Sequence, residues 1–255
     1  MSPILYNVFV DDLTKLLCEA NIGCSIDNVC VNHLMYADDS VIIAPSPSAL
    51  QQLIYICEMY AKDNEISFNT KKTVCMSVIS SKCKGISVPR IHLNNSVLSW
   101  VESQKYLGVL LRSDLNDCND MRRQLRAIYG KGNILLRKFK KCTESVKINL
   151  FKAYCSNLYC CQLWCHYSKD IYKDVKVSYN NVFRYMFNLR KREHVSCHFV
   201  KANVNTFNEL IRKSIFSFKQ RLDGSTNSII CAIINSQFFI FESKLYSCWK
   251  SRLYM

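Results

Sequence analysis

The chain has 255 residues, 49% of them hydrophobic, and carries 34 Lys and Arg against 20 Asp and Glu for a formal net charge of +14. An apolar half, with only 6 Gly and 4 Pro, excludes a disordered tail, a collagen-like chain and a mucin-like stalk. The longest apolar stretch, residues 229–241, is broken by Asn235, Ser236 and Gln237 and falls short of the roughly 20 residues a membrane span needs, while Asp11 and Asp12 interrupt the N-terminal apolar run. Neither a span nor a secretory signal is expected, and the chain reads as intracellular, in nucleus or cytoplasm.

In chain order, Ile4, Leu5, Val8, Phe9, Leu13, Leu16 and Leu17 recur at helical spacing and predict a helix over residues 3–20. Residues 30–44 hold two apolar runs separated by Ala37-Asp38-Asp39-Ser40, the pattern of a β-hairpin with those four residues at its tip. Helical period returns over 48–62, with Leu50, Leu53, Ile54, Cys57 and Tyr60 on one face and Ser46 or Ser48 as cap. A strand pair is expected over 73–79 and 91–98. Beyond about residue 120 the pattern is mostly helical, residues 150–164 included, and no internal repeat interrupts it.

Of the 15 cysteines, Cys18, Cys57 and Cys155 fall where apolar residues recur, as reduced core thiols do. The densest group, Cys155, Cys160, Cys161, Cys165 and His166, lacks the paired short spacing of a zinc ribbon, and Cys197 with His198 does no better. Structural thiols are therefore expected rather than a metal centre.

Charge is segregated along the chain. Residues 1–65 carry two bases and nine acids, a net −7, whereas residues 121–152 hold ten bases and one acid, Glu144, a net +9. Arg122, Arg123, Arg126, Lys131, Arg137 and Lys138 lead that basic run. Nearly unopposed charge of this density suits a polyanion such as a nucleic-acid backbone, whose counterions are released as Lys and Arg replace them; the competing reading is a solvated helix face.

Two adjacent carboxylates at a hairpin tip repel each other, and a divalent cation relieves that repulsion. Hard Mg²⁺ prefers oxygen ligands, so Asp38 and Asp39 are candidates for half of a two-metal site for phosphoryl transfer, against the simpler alternative of a polar turn in water.

The wider context resembles a known family. Tyr36-Ala37-Asp38-Asp39, preceded by Leu34-Met35 and followed by Ser40-Val41-Ile42-Ile43, resembles the active-site box of reverse transcriptases of non-LTR (LINE-type) retrotransposons. Upstream, the run from Ser2-Pro3 to Asp12-Leu13 is similar to the family's segment that contacts template and nucleotide. Downstream, Ile66-Ser67-Phe68-Asn69-Thr70-Lys71-Lys72 is similar to its asparagine-to-lysine box, and Tyr106-Leu107-Gly108-Val109 to its primer grip. Residues 178–190 resemble, more weakly, the region after the thumb.

The resemblance implies an α+β fold: a partial polymerase palm, a split βαβ-type antiparallel sheet with helices, over 1–111, a basic helical thumb over 112–177, and a helical C-terminal region over 178–255. It implies two Mg²⁺ ions held with the help of Asp38 and Asp39, an RNA template, a DNA primer or RNA–DNA hybrid, and deoxynucleoside triphosphates. Ser2, Pro3, Tyr36 and Asn69 would contact template or nucleotide, or position the loops that do. Lys72 would act as a cation or general acid beside the departing pyrophosphate, although by itself it reads as one of two surface lysines. Tyr106, Leu107 and Gly108 would form the primer grip, the glycine letting a primer backbone approach. The sequence also departs from the family: Met1 stands where it has Leu, the preceding Gln-Gly is absent, and the third catalytic carboxylate of the family lies upstream of this box. An incomplete active site is expected, and primer extension by this chain alone is not. A non-catalytic module binding RNA or an RNA–DNA hybrid is the competing function.

Overall fold

The computed structural model describes residues 3–79, 88–191 and 193–254. The fold is α+β and divides into two compact units, Met1–Glu102 with Ser225–Gln237, and Ser103–Gly224 with Phe238–Met255.

In the first unit, α1 (Pro3–Glu19) and α2 (Pro47–Asp63) bury Leu13 and Leu17 against Leu53, Cys57 and Tyr60. A fully buried leucine such as Leu17 or Leu53 contributes about 1.5–3 kcal/mol. Val8, Phe9 and Leu16 face outward, because the apolar positions of α1 extend round more of the helix than one neighbour covers. The Tyr60 hydroxyl donates to the Phe9 carbonyl at 2.6 Å. Ser46 caps α2 by accepting from the Ala49 amide at 3.2 Å, and Pro47 opens the helix where no amide donor is needed.

Short hairpins complete this unit. β1 (Cys24–Ile26) and β2 (Val29–Val31) turn through Asp27 and Asn28, both in the left-handed region. β3 (His33–Tyr36) pairs with β4 (Asp39–Ile42), and β5 (Val74–Cys75) runs parallel to β8 (Ser99–Trp100). β6 (His92–Leu93) folds directly onto β7 (Ser96–Val97). Buried Asn32 donates to the carbonyls of Leu17, at 2.5 Å, and Ile22, at 2.8 Å, tying the end of α1 to the strands.

The strand expectations need correction here. The anticipated pairing of 73–79 with 91–98 gives way to β6–β7 because Asn94 and Asn95, at φ 48° and 60°, reverse the chain inside the second segment; asparagine tolerates this conformation better than most residues. Nor do the strands merge into one antiparallel sheet: among the described residues each sheet has two strands.

The second unit begins with the hairpin β9 (Ser103–Tyr106) and β10 (Val109–Arg112). Helices α3 (Cys118–Lys138), α4 (Glu144–Tyr154), α5 (Lys169–Met186), α6 (Ser196–Lys201) and α7 (Phe207–Asp223) follow. α3 and α5 approach closely at Gly132, where a Cβ would lie 2.6 Å from Val182 Cγ1. Phe151, Tyr179, Phe183, Phe199 and Phe207 form the aromatic centre, with ring centroids 5.1 Å apart for Phe151 and Phe183 and 4.5 Å for Phe183 and Phe199. A capping box of Thr206 and Glu209 starts α7. α8 (Ser228–Asn235) belongs to the first unit, beside β1 and β2, and α9 (Lys244–Leu253) to the second, where buried Trp249 donates to the Gln162 carbonyl at 2.7 Å.

The helix expected over 150–164 is shorter. α4 stops at Tyr154, the Phe151 carbonyl accepts from both Cys155 and Ser156, and Cys160 takes a left-handed φ of 55° before a 3₁₀ turn at Cys161–Leu163. Cysteines 57, 75, 155 and 161 are buried free thiols, and burial pushes Cys57, Cys155 and Cys161 up to about 11. Cys18 is instead exposed, being rotated about 100° from Leu17 off the buried stripe of α1. Among the described residues no helix is long and apolar enough to cross a membrane.

Candidate functional site

The Asp38–Asp39 pair sits on β3–β4. The register Tyr36↔Asp39, Met35↔Ser40, Leu34↔Val41 and His33↔Ile42 leaves Ala37 and Asp38 alone as the turn, so the tip is two residues long and Asp39 and Ser40 are strand residues. Ala37 has φ 51°, a conformation costing a non-glycine residue about 1–2 kcal/mol. Strand alternation puts Asp39 and Tyr36 on the face of Leu34 and Val41, while Met35 and Ile42 turn to the core. Both carboxylates are exposed, Tyr36 is 64% exposed beside Asp39, and among the described residues neither Asp38 nor Asp39 makes an ion pair. Two adjacent oxygen donors held on a hairpin and free of cationic partners fit one side of a Mg²⁺ site. Among the described residues no three His, Cys, Asp or Glu gather into a complete metal cage.

Asn69 organises the next candidate segment. Its Oδ1 accepts from the Lys71 and Lys72 amides at 3.1 and 3.2 Å, and its carbonyl from the Thr73 hydroxyl at 2.9 Å. This Asx-type turn leaves Lys72 exposed at its edge. Pro3 opens α1, and Ser2 lies outside the described residues. Asp11 and Asp12 are helix-surface groups bridged by Lys15 at 2.8 and 2.9 Å.

The Tyr106-Leu107-Gly108 hairpin belongs to the second unit. Leu107 and Gly108 both have positive φ, 43° and 83°, which matches the right-handed twist of the flanking strands. The ring of Tyr159 lies over the glycine: a Cβ there would meet Tyr159 Cε1 at 2.9 Å, and the Tyr159 hydroxyl donates to the Leu107 carbonyl at 2.8 Å. Close approach at Gly108 is thus already made by a side chain of this protein.

Asp120 anchors the same hairpin. Only 1% exposed, it accepts from the Leu110 amide at 3.2 Å, from Arg123 Nε and Nη2 at 3.0 and 2.6 Å, and through its other oxygen from Trp164 Nε1 at 3.1 Å. Asp117, three residues earlier, accepts from the Cys165 and His166 amides at 2.8 and 2.7 Å, while burial raises its carboxyl above the ordinary range. Sequence reasoning missed Asp120, Trp164 and Tyr159. Asp120 with Arg at i+3 was the one visible signal; the partners arrive from about 40 residues away.

That network separates the basic candidates of α3. Arg123 is committed to buried Asp120. Arg122, Arg126 and Arg137 share one exposed face roughly opposite buried Met121, Ile128 and Leu135, whereas Lys131 and Lys138 are exposed about 100° or more further round the helix, at the far edge of the buried stripe. Arg122 reaches Asn119 Oδ1 at 2.9 Å. Among the described residues none of these five makes an ion pair. Arg137 and Lys138 also offset the negative end of the helix dipole.

Residues 1–111 match the family model described as reverse transcriptase (RNA-dependent DNA polymerase). The matched stretch contains the Asp38–Asp39 hairpin and the Leu107–Gly108 turn. No curated protein matches the chain.

Proposed function

We propose that this chain carries part of an RNA-directed DNA polymerase of the non-LTR retrotransposon kind, comprising palm elements over 1–111, a basic thumb over 112–177 and a C-terminal helical region over 178–255. One observation carries the reading: exposed Asp38 and Asp39, unpaired among the described residues, crown a tight hairpin inside the stretch that matches the reverse transcriptase family. The order of the surrounding boxes, from Pro3 through Tyr36–Asp39 and Asn69–Lys72 to Gly108, supports the finer assignment.

Asp38 and Asp39 would hold Mg²⁺, which when bound supplies activation of a primer 3′-hydroxyl and charge neutralisation at the pyrophosphate. Tyr36 offers its ring on the same face as Asp39. Asn69 holds the turn that presents Lys72, whose ammonium suits a phosphate or a proton transfer to the leaving group. Arg122 and Arg126, about one helical turn apart on one exposed face, would meet phosphates of a template–primer duplex. Among the described residues Asp38 and Asp39 are joined by no third carboxylate, so the chain alone is expected to leave a primer unextended. The buried free thiols fit a reducing compartment, nucleus or cytoplasm.

The test is dTTP incorporation on poly(rA)/oligo(dT) with Mg²⁺, alongside binding to a short RNA–DNA hybrid. No incorporation is expected, with hybrid binding that weakens steeply in salt. Incorporation abolished by Asp38→Ala would establish the catalytic carboxylate and overturn the incompleteness. Hybrid affinity unaffected by salt, or by Arg122→Ala and Arg126→Ala together, would overturn the basic face. Salt-dependent hybrid binding without any effect of Asp38→Ala on Mg²⁺ affinity would favour the non-catalytic binding module.

A further inference from the structure

Where α3, α4 and α5 meet in the second unit, their ends frame an open cleft of about 430 Å³. Its floor is apolar, from Leu135 and Met186. Its rim carries three cations, Arg137, Lys140 and Lys147, and no carboxylate lines it. Among the described residues none of the three makes an ion pair. Tyr185, 55% exposed, adds an aromatic ring to the wall. A second cleft of about 310 Å³ shares Lys147, Met186 and Asn188 with the first and continues toward Lys201 and His198; it also carries the Glu144 carboxylate, and His198 is bonded to Glu193 at 2.7 Å, so Lys147 and Lys201 are its phosphate-binding groups. The α5 end that forms the shared wall is firmly terminated: Asn188 takes a left-handed φ of 53° and the Leu189 amide donates to the Arg184 carbonyl at 3.0 Å, the geometry of a Schellman cap.

We propose that these joined clefts bind a single-stranded nucleic-acid segment, with a base on Tyr185 and its flanking phosphates on Arg137, Lys140 and Lys147. The chemistry selects this ligand. Cations alone suit any polyanion, but an exposed ring beside them over an apolar floor rewards an anion that also carries flat π-faces, as unpaired bases do. A duplex keeps its bases stacked within itself and offers the ring nothing. The first cleft lies within the size range of small-ligand sites, and the second supplies room for a neighbouring nucleotide. Lys147, shared by both, sits where a bridging phosphate would pass. The segment would be single-stranded template or product beyond the duplex held on the Arg122–Arg126 face. The inference therefore rests on the reading of this unit as a nucleic-acid binder, and its test separates the two.

Fluorescence anisotropy of the full chain with labelled single-stranded RNA, single-stranded DNA and an RNA–DNA hybrid decides it. Tyr185→Ala should weaken single-strand binding roughly tenfold and leave hybrid binding within twofold, while Tyr185→Phe, which keeps the ring, should bind like the unmodified chain. Lys140→Ala and Lys147→Ala should each reduce the log–log salt slope for single strands by about 0.7. The RNA and DNA arms identify which strand the cleft prefers, and a loss in either supports the site. Tyr185→Ala binding single strands normally, or losing hybrid and single strand equally, would overturn the proposal. So would polyglutamate competing as well as an oligonucleotide of equal charge, since it carries no base. Loss of hybrid binding through Arg122→Ala and Arg126→Ala with single-strand binding intact would support the cleft as a separate site, and hybrid binding without any single-strand binding would remove the cleft alone.

Discussion

Two hairpins of the same local design meet opposite fates. β3–β4 and β9–β10 both pair four-residue strands across a two-residue turn, and both turns use a left-handed backbone. The tip at Ala37–Asp38 is left open, with its carboxylates in solvent. The tip at Leu107–Gly108 is covered by Tyr159, and its strand is held through Leu110 by buried Asp120. A hairpin presents chemistry when its tip is left bare, and it becomes a joint when later segments of the chain close over it.

Breaking the anchor should have the largest effect. Asp120→Ala leaves Arg123, Trp164 Nε1 and the Leu110 amide without their acceptor, and a loss of about 3–5 kcal/mol is expected in urea unfolding followed by tryptophan fluorescence. A loss below about 1 kcal/mol would show that the hairpin is held by packing alone.

The turns themselves should respond with opposite signs. Gly108→Ala faces both a φ of 83° and the Tyr159 ring, and should destabilise by about 1–3 kcal/mol. Ala37→Gly relieves a left-handed alanine at an open tip and should stabilise by roughly 0.5–1 kcal/mol, net of the chain entropy glycine adds. Paired thermal melts read both, and equal signs would break the comparison. Tyr159→Phe removes the bond to the Leu107 carbonyl and should cost about 0.5–1 kcal/mol. Asp38→Asn, at the bare tip, should leave stability within about 0.5 kcal/mol while weakening Mg²⁺ binding in calorimetry.

The smallest effect concerns pH next to the anchored hairpin. Arg112 beside Asp114, together with the Asn116 amide, holds the Asp114 carboxyl down to about 2 from its ordinary 3.8. A depressed carboxyl adds stability above its unfolded value and loses it as pH falls toward 2. The melting temperature of the unmodified chain should therefore fall more steeply than that of Asp114→Asn between pH 4 and pH 2; parallel curves would show that the pair is screened by solvent.

Much of the site was legible beforehand because its signals are local. Helix α1 and helix α2 follow from apolar period, and the Asp38–Asp39 hairpin from two apolar runs about a polar break. The turn length was not legible, since Tyr36↔Asp39 pairing depends on which face of each strand meets the core. Asn94 and Asn95 were read as part of a strand because their neighbours are apolar, and only the left-handed backbone at both positions reveals the reversal. Arg123 looked equivalent to Arg122 in the sequence, and the Asp120 network separates them.

By itself the sequence determined the short-range features: helical period, the carboxylate pair, the segregation of negative and positive charge, and the boxes that resemble a polymerase. Tertiary structure decided which of these remain available. It buried Asp120 against Trp164, spent Arg123 on that carboxylate, covered Gly108 with Tyr159, and left Arg122, Arg126, Tyr185 and Asp38 in solvent. The physical reason is range. Backbone propensity and periodicity act within a few residues, whereas the partner that satisfies or buries a polar group comes from wherever packing brings the chain back.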